Sequence, residues 1–205
     1  MEMIMKKIIT EIRTAVVMTL VIGIICCGIY PALVWGLAQW LFNDNANGSL
    51  IVKDSKIAGS RLLARGFTGD PYFHPRPSAA GTGYDAAGSG GSNLGPLSKR
   101  LYDSVKERAE AYRRINGLAP DEMVPVDAVT ASASGLDPHI SPGNALIQAK
   151  RVAKARGMSQ ETVIKLVEHN TKGRRLGVFG EPRVNVLMLN IDLDRQEKAD
   201  GSNQG

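Results

Sequence analysis

TAVVMTLVIGIICCGIYPALVWGLAQWLFN, residues 14–43, holds no charged side chain, and Lys6, Lys7 and Arg13 stand just ahead of it. Thirty residues at a helical rise span roughly 45 Å, more than the roughly 30 Å hydrocarbon core of a bilayer. The run is about twice as long as the 7–15 apolar residues of a secretory leader. Its nearest small-residue cleavage pattern, Gly36-Leu37-Ala38, is followed by Gln39-Trp40-Leu41-Phe42, an aromatic interface anchor rather than a mature N-terminus. Neither Cys26 nor Cys27 has the surroundings of a lipidated cysteine. The sequence therefore predicts an uncleaved membrane anchor.

Basic residues set its orientation. Three precede the run and the first to follow it is Lys53, after Asp44, which predicts a cytoplasmic N-terminus. The expected organisation is a short cytoplasmic N-terminus (1–13), a transmembrane helix (14–42), an extracytoplasmic domain (43–194) and a disordered polar tail (195–205). The chain is expected to sit in the inner, cytoplasmic membrane as a single-pass protein. The outer part is long enough for one domain with its own core. Both cysteines lie in the membrane run, so that domain relies on packing rather than disulfides. The net charge of +5 comes from basic residues interleaved with acidic ones, as in Lys106-Glu107-Arg108-Ala109-Glu110. That pattern and the compartment argue against a nucleic-acid partner.

Along the outer part, Leu50-Ile51-Val52 and Ile57 to Leu63 flank the polar Lys53-Asp54-Ser55-Lys56 and predict a hairpin. Residues 68–96 are rich in Gly, Pro, Ser and Ala, a long connection of the kind that is functional or disordered. Leu97, Leu101, Val105, Ala109, Tyr112 and Ile115 recur at helical spacing, with Pro96 at the start and Gly117 at the stop. Ser141-Pro142 opens a second helix that closes at Gly157, and Ser159 caps a third that closes near Gly173. Lys150, Arg151, Lys154 and Arg156 are read as a solvated helix face. Val184 to Leu193 is apolar on both alternating faces and is expected to be a central strand. The fold class is α+β: one N-terminal transmembrane helix followed by one mixed helix/strand extracytoplasmic domain.

No catalytic or metal-binding residue is assigned. His74, His139 and His169 are far apart in sequence and in no ligand spacing. Gly88-Ser89-Gly90-Gly91-Ser92 fails the spacing of a nucleophile elbow, a Walker loop and a dinucleotide loop. What stands out instead are segments dense in turn formers and small polar groups. Arg76 sits between Pro75 and Pro77, ahead of Ser78; Asn93 ends the glycine run; Asp127 follows Pro125-Val126; and Thr130 to Asp137 is rich in small hydroxyl side chains. Such surfaces suit docking onto another protein better than bond breaking. The docking candidates are Arg76, Pro77, Ser78, Asn93, Asp127, Ser132 and Asp137. In the membrane run, Gly28, Ala32 and Gly36 recur every four residues as a candidate helix-packing stripe, and Pro31 is expected to kink the helix.

These segments, in this order behind one membrane helix, resemble the C subunit of the Kdp-type potassium-transporting ATPases. The resemblance rests on Phe73-His74-Pro75-Arg76-Pro77-Ser78-Ala79, Gly90-Gly91-Ser92-Asn93-Leu94-Gly95, Pro125-Val126-Asp127 with Thr130 to Asp137, Arg151 to Arg156, and Val184-Asn185-Val186. It departs in one place: after Gly59 to Leu63 the family pattern has Gly-Gln, where this chain has Ala64-Arg65 before Gly66-Phe67. The resemblance implies a non-catalytic accessory subunit of a membrane complex that uses ATP to import potassium. Its implied partners are a potassium-channel-like subunit and a P-type catalytic subunit, with membrane lipid around the helix. ATP and potassium are then used by the complex, and neither is assigned to residues of this chain. The family role includes assembly and raising the pump's ATP affinity, which for a domain outside the membrane means coupling through the complex. Two alternatives stand beside this reading. One is a membrane-tethered envelope serine hydrolase built from Ser92, His74 and Asp85. The other is a pilin-like structural subunit, which needs a processing site ahead of the helix that the sequence does not show.

Overall fold

The computed structural model describes residues 1–53 and 55–202. The chain divides into two compact units, Met1–Leu50 and Ile51–Gly205.

The first unit is a continuous run of helix. α1 (Glu2–Gly23) passes through a π-helical stretch (Ile24–Ile29) into α2 (Tyr30–Leu41), and a one-turn α3 (Asn43–Ala46) follows. Glu2–Leu41 is long and apolar enough to cross a membrane. Pro31 cannot donate a main-chain hydrogen bond, and the widened turn just ahead of it absorbs the misfit: Tyr30 N–H reaches back five residues to the Ile25 carbonyl. The expected disturbance at Pro31 thus takes the form of a π-turn. Beyond α2, Gln39 Oε1 accepts hydrogen bonds from Asn43 Nδ2 at 3.0 Å and Asn47 Nδ2 at 3.2 Å, a knot of amides that ends the apolar run.

The second unit is α+β. β1 (Leu50–Lys53) and β2 (Lys56–Ser60) form the two-stranded sheet expected of the hairpin, with Asp54 of its turn outside the described residues. A long irregular stretch leads to α4 (Lys99–Asn116), capped by Ser98, whose Oγ accepts from Leu101 N–H, and closed by Gly117 in the left-handed region. Leu97, expected on the buried stripe, precedes this cap and is fully exposed. The short α5 (Val126–Val129) and β3 (His139–Ile140) lead to α6 (Pro142–Arg156) and α7 (Gln160–His169), which carry the expected serine caps at Ser141 and Ser159. α7 ends at His169 rather than near Gly173. β4 (Thr171–Lys172) and β5 (Arg183–Asn185) complete a three-stranded antiparallel sheet of order β3-β5-β4, with Ile140 opposite Val184 and Val184 opposite Thr171.

The expected strand from Val184 to Leu193 is overturned. Only Arg183–Asn185 is extended, and Val186 opens α8 (Val186–Ser202). Asn185 Oδ1 accepts from Met188 N–H at 3.1 Å and so acts as the helix cap. Leu187, Leu189, Ile191 and Leu193 are all buried, so this helix is covered on most sides and its apolar residues mimic strand alternation. α8 runs to Ser202, across most of the stretch read from the sequence as a disordered tail; residues 203–205 of that stretch lie outside the described residues. The core joins Val152, Val163, Val167, Val184, Val186, Leu189 and Leu193 around Phe73, which is completely buried although it lies in the irregular stretch.

Phe73 is held there by side chains that replace a strand partner. Its N–H donates to Asn190 Oδ1 at 2.9 Å and its carbonyl accepts from Asn190 Nδ2 at 3.0 Å. Gln148 makes the same pair of bonds to the main chain of His74, at 2.7 and 3.2 Å. Arg151 donates from Nε to Asn116 Oδ1, from one terminal nitrogen to the carbonyls of Gly69, Asp70 and Tyr72, and from the other to Gln148 Oε1. The reading of 150–156 as a wet face therefore fails for two of its four cations. Lys150 and Lys154 are exposed, but Arg151 is buried, and Arg156 stacks its guanidinium 4.9 Å over the Tyr72 ring while donating to the Pro71 carbonyl, Asp194 and Glu197.

Truncating Arg151 leaves buried oxygens without donors, so Arg151→Ala is expected to cost about 3 kcal/mol. That corresponds to a fall of about 10 °C in the melting temperature of the purified full-length chain, followed by circular dichroism. Arg151→Lys recovers little of this, because a single ammonium cannot reach acceptors arranged around a planar fork. Burial lowers the pKa of His74 below 6.5, against a smaller raising effect of its bond to the Gly69 carbonyl. The unfolded chain then binds the proton more readily, so this contribution to stability is complete above about pH 6.5 and is lost as the pH falls through the folded value. Thermal melts between pH 7 and 5 should show the loss, and His74→Gln should flatten it.

Candidate partner-docking region

The motif residues of 76–92 and 130–137 fold against each other. Arg76 donates to Asp137 Oδ2 at 3.1 Å, and its other terminal nitrogen faces the carbonyls of Thr130 and Ala131 at 3.4 and 3.5 Å. Ser78 Oγ donates to the Gly135 carbonyl at 2.7 Å and accepts from the N–H groups of Ala80 and Tyr84. The Tyr84 hydroxyl returns to the Arg76 carbonyl at 2.8 Å, and burial pushes its pKa up, so it stays a donor. Gly90 N–H and Ser89 Oγ both donate to the Ser134 carbonyl. Ser132 Oγ accepts from Asp137 N–H, and Asp137 Oδ1 accepts from His139 N–H. Burial works to raise the pKa of Asp137, but the hydrogen bonds from His139 and Arg76 outweigh it and hold the carboxyl below its ordinary value. It is ionised at neutral pH and fully engaged.

Gly135 makes this closeness possible. At φ +68°, a Cβ added there would lie 2.6 Å from the Gly90 carbonyl oxygen and 2.7 Å from Ala80 N, too near for any other residue. Alongside the latch runs an open groove of about 740 Å³ between Leu62, Leu63, Ala86, Ser134 and Pro138, with Leu62 60% exposed.

Five of the seven docking candidates are thus tied into internal bonds. Arg76, Ser78, Ser132 and Asp137 share the latch, with Pro77 between the first two. Asp127 belongs to a separate lock: its carboxylate accepts from Ser141 N–H at 2.7 Å, Ser141 Oγ at 3.0 Å and Asn144 Nδ2 at 3.1 Å, fastening α5 to the start of α6. Tyr112 donates to Asn144 Oδ1 at 2.8 Å and extends that lock to α4; burial first, and the charge of Asp127 second, push its pKa far up. Asn93 stands apart on the surface with φ +51°. In the first unit, Gly28, Ala32 and Gly36 are exposed, and among the described residues nothing beyond the local helix backbone lies within 4 Å of a Cβ added at Gly28 or Gly36.

Sequence reasoning missed Asn144, Gln148, Arg151 and Asn190, polar residues at buried helix positions: Gln148, Arg151 and Asn190 bind main chain, and Asn144 binds the side chains of Asp127, Tyr112 and Gln148. Their spacing along α6, at i, i+4 and i+7, was the available signal. The arrangement required by the hydrolase alternative does not form. His74 Nε2 lies 3.0 Å from the Gly69 carbonyl, Asp85 Oδ1 accepts from Ala87 N–H, and no hydrogen bond joins either to Ser92 among the described residues. At the position where the sequence departs from the resemblance, Arg65 donates to the Ala58 carbonyl at 2.9 Å and borders an open cavity of about 320 Å³ with Phe67, Tyr72 and Asn190.

Comparison with known proteins places the chain in a family. The family model described as the K+-transporting ATPase, c chain, matches residues 12–195. A potassium-transporting ATPase KdpC subunit of Koribacter versatilis is 50% identical over 190 residues, covering 92% of this chain and 94% of that protein. Its counterparts in Nitratidesulfovibrio vulgaris and Mycobacterium tuberculosis are 52% and 51% identical over 188 and 185 residues, covering 90% of this chain and 94% and 98% of theirs. With the family model matched over most of its length and half its residues shared with such subunits, this chain belongs to the KdpC family of potassium-transporting ATPase subunits.

Proposed function

We propose that the chain is a non-catalytic accessory subunit of an ATP-driven potassium importer, anchored by its N-terminal helix with the N-terminus in the cytoplasm and the α+β unit outside. Its partners are a potassium-channel-like subunit and a P-type catalytic subunit. The observation that carries this reading is the latch. The family motifs spend their polar groups on one another, Arg76 on Asp137 and Ser78 on Gly135, instead of gathering round a reacting atom. What they build is a rigid double loop beside a groove, a shape suited to presenting a fixed face to another subunit.

Any effect on ATP use then acts at a distance. The three basic residues ahead of the membrane run, against none between it and Lys53, favour placing the α+β unit on the side away from cytoplasmic ATP. A subunit that favours the nucleotide-bound state of its partner raises ATP affinity without touching ATP, and ATP tightens that subunit's own association by the same factor. The net positive outer unit does not concentrate potassium by its overall field.

Purification of the full-length chain from its native membrane in mild detergent should recover two multi-span partners with potassium-stimulated ATPase activity. Recovery of this chain alone refutes the proposal. Withdrawing the chain from the assembled complex should weaken apparent ATP affinity about 5- to 150-fold, the range of an ordinary coupling energy. Arg76→Ala deprives the half-buried Asp137 of its cation and is expected to lower domain stability by about 1–2 kcal/mol. It should also reduce recovery of the partners more than Lys150→Ala, a change at an exposed lysine of α6.

A further inference from the structure

The connection between β4 and β5 has a property that the accessory role does not use. Residues 174–181 form a tight hairpin: Arg175 and Phe179 exchange main-chain hydrogen bonds at 2.8 and 2.9 Å, and Arg174 pairs with Glu181 at its base at 2.9 Å. At its tip, Leu176, Val178 and Phe179 are 90%, 71% and 65% exposed. Leu176 also holds φ +51° and Gly177 φ +76°. A bulky residue in the left-handed region is strained, and here the strain brings no burial within the chain. It serves only to keep a leucine at the apex. Around the tip, residues 172–183 carry four basic side chains, Lys172, Arg174, Arg175 and Arg183, against the single acidic Glu181.

We propose that this hairpin is a membrane-surface anchor, its Leu176, Val178 and Phe179 tip entering the boundary between headgroups and acyl chains of an anionic leaflet while the surrounding arginines meet lipid phosphates. Apolar residues ringed by arginine and lysine are the chemistry of interfacial insertion, with burial and charge adding. A narrow convex tip buries far less than the roughly 800 Å² a side of a specific protein interface, whereas fluid lipid closes around it from every direction. The membrane helix of the same chain raises the local concentration of bilayer, so a weak contact suffices. The inference rests on the chain being membrane-anchored. Flotation of the full-length chain with vesicles tests that premise separately, because it depends on Glu2–Leu41 whatever the tip does.

The test uses the full-length chain carrying Cys26→Ser and Cys27→Ser, with a nitroxide label at Val178→Cys, in lipid nanodiscs. In discs containing phosphatidylglycerol the label should lose most of its collisions with a water-soluble nickel chelate and gain collisions with oxygen. The shift should shrink in phosphatidylcholine discs, in high salt and with Arg175→Glu. Leu176→Asn relieves the backbone strain, since asparagine accepts the left-handed region, so it should leave the melting temperature unchanged or raised while reducing immersion of the label. A label open to the chelate in both lipids overturns the proposal. So does immersion indifferent to Leu176→Asn and Arg175→Glu. Protection from both reagents that appears only when partner subunits are present overturns it as well and assigns the tip to a protein contact.

Discussion

Arg151 satisfies a problem that prolines create. The segment 69–78 contains Pro71, Pro75 and Pro77, so it lacks the regular donors of a strand and cannot pair inside a sheet. Yet Phe73 within it fills the core. Its main-chain groups must then find partners among side chains, because a buried carbonyl or N–H left unpaired costs as much as the burial returns. Arg151, Gln148 and Asn190 supply those partners from α6 and α8. Each spans two or more main-chain groups, so the segment is fixed in register as a strand would be. The positions of Arg76 and Ser78 follow from that register, and the latch to 130–137 follows from theirs.

How much of this can be read in the sequence depends on whether the signal is local. The ends of α6 and α7 are legible because Ser141, Ser159 and Gly157 act on their own neighbours, through a side-chain cap or a left-handed φ. α8 is not, since burial on most sides erases the periodicity that separates helix from strand, and its cap Asn185 looks like one more residue of an apolar run. The latch was half legible. Arg76, Ser78, Ser132 and Asp137 stand out by residue type, but the partner of each lies more than fifty positions away or is fixed by loop geometry, apart from the bond between Ser132 and Asp137. Arg151 and Arg156 escape the sequence for a related reason. Charge in a helical row ordinarily means solvent, and only the tertiary fold reveals the carbonyls that Arg151 bonds.

The family assignment and the physical account meet in the same residues. The motifs that carry the resemblance are the ones that lock loops together: Asp127 on the start of α6, Arg76 on Asp137, Ser78 on Gly135. Their constraint is geometric rather than chemical. Arg65 is different in kind, because it borders a cavity instead of closing a lock.

The π-turn ahead of Pro31 carries a further meaning for the membrane helix. A π-turn holds more residues per revolution than an α-turn, so a step of five residues through Ile24–Ile29 brings Gly23 back toward the side occupied by Gly28. With regular α geometry the same step carries Gly23 well away from that side. Proline is therefore a vernier as well as a break: by widening one turn it re-phases the helix, and the stripe of Gly28, Ala32 and Gly36 gains a glycine nearer its side at the N-terminal end.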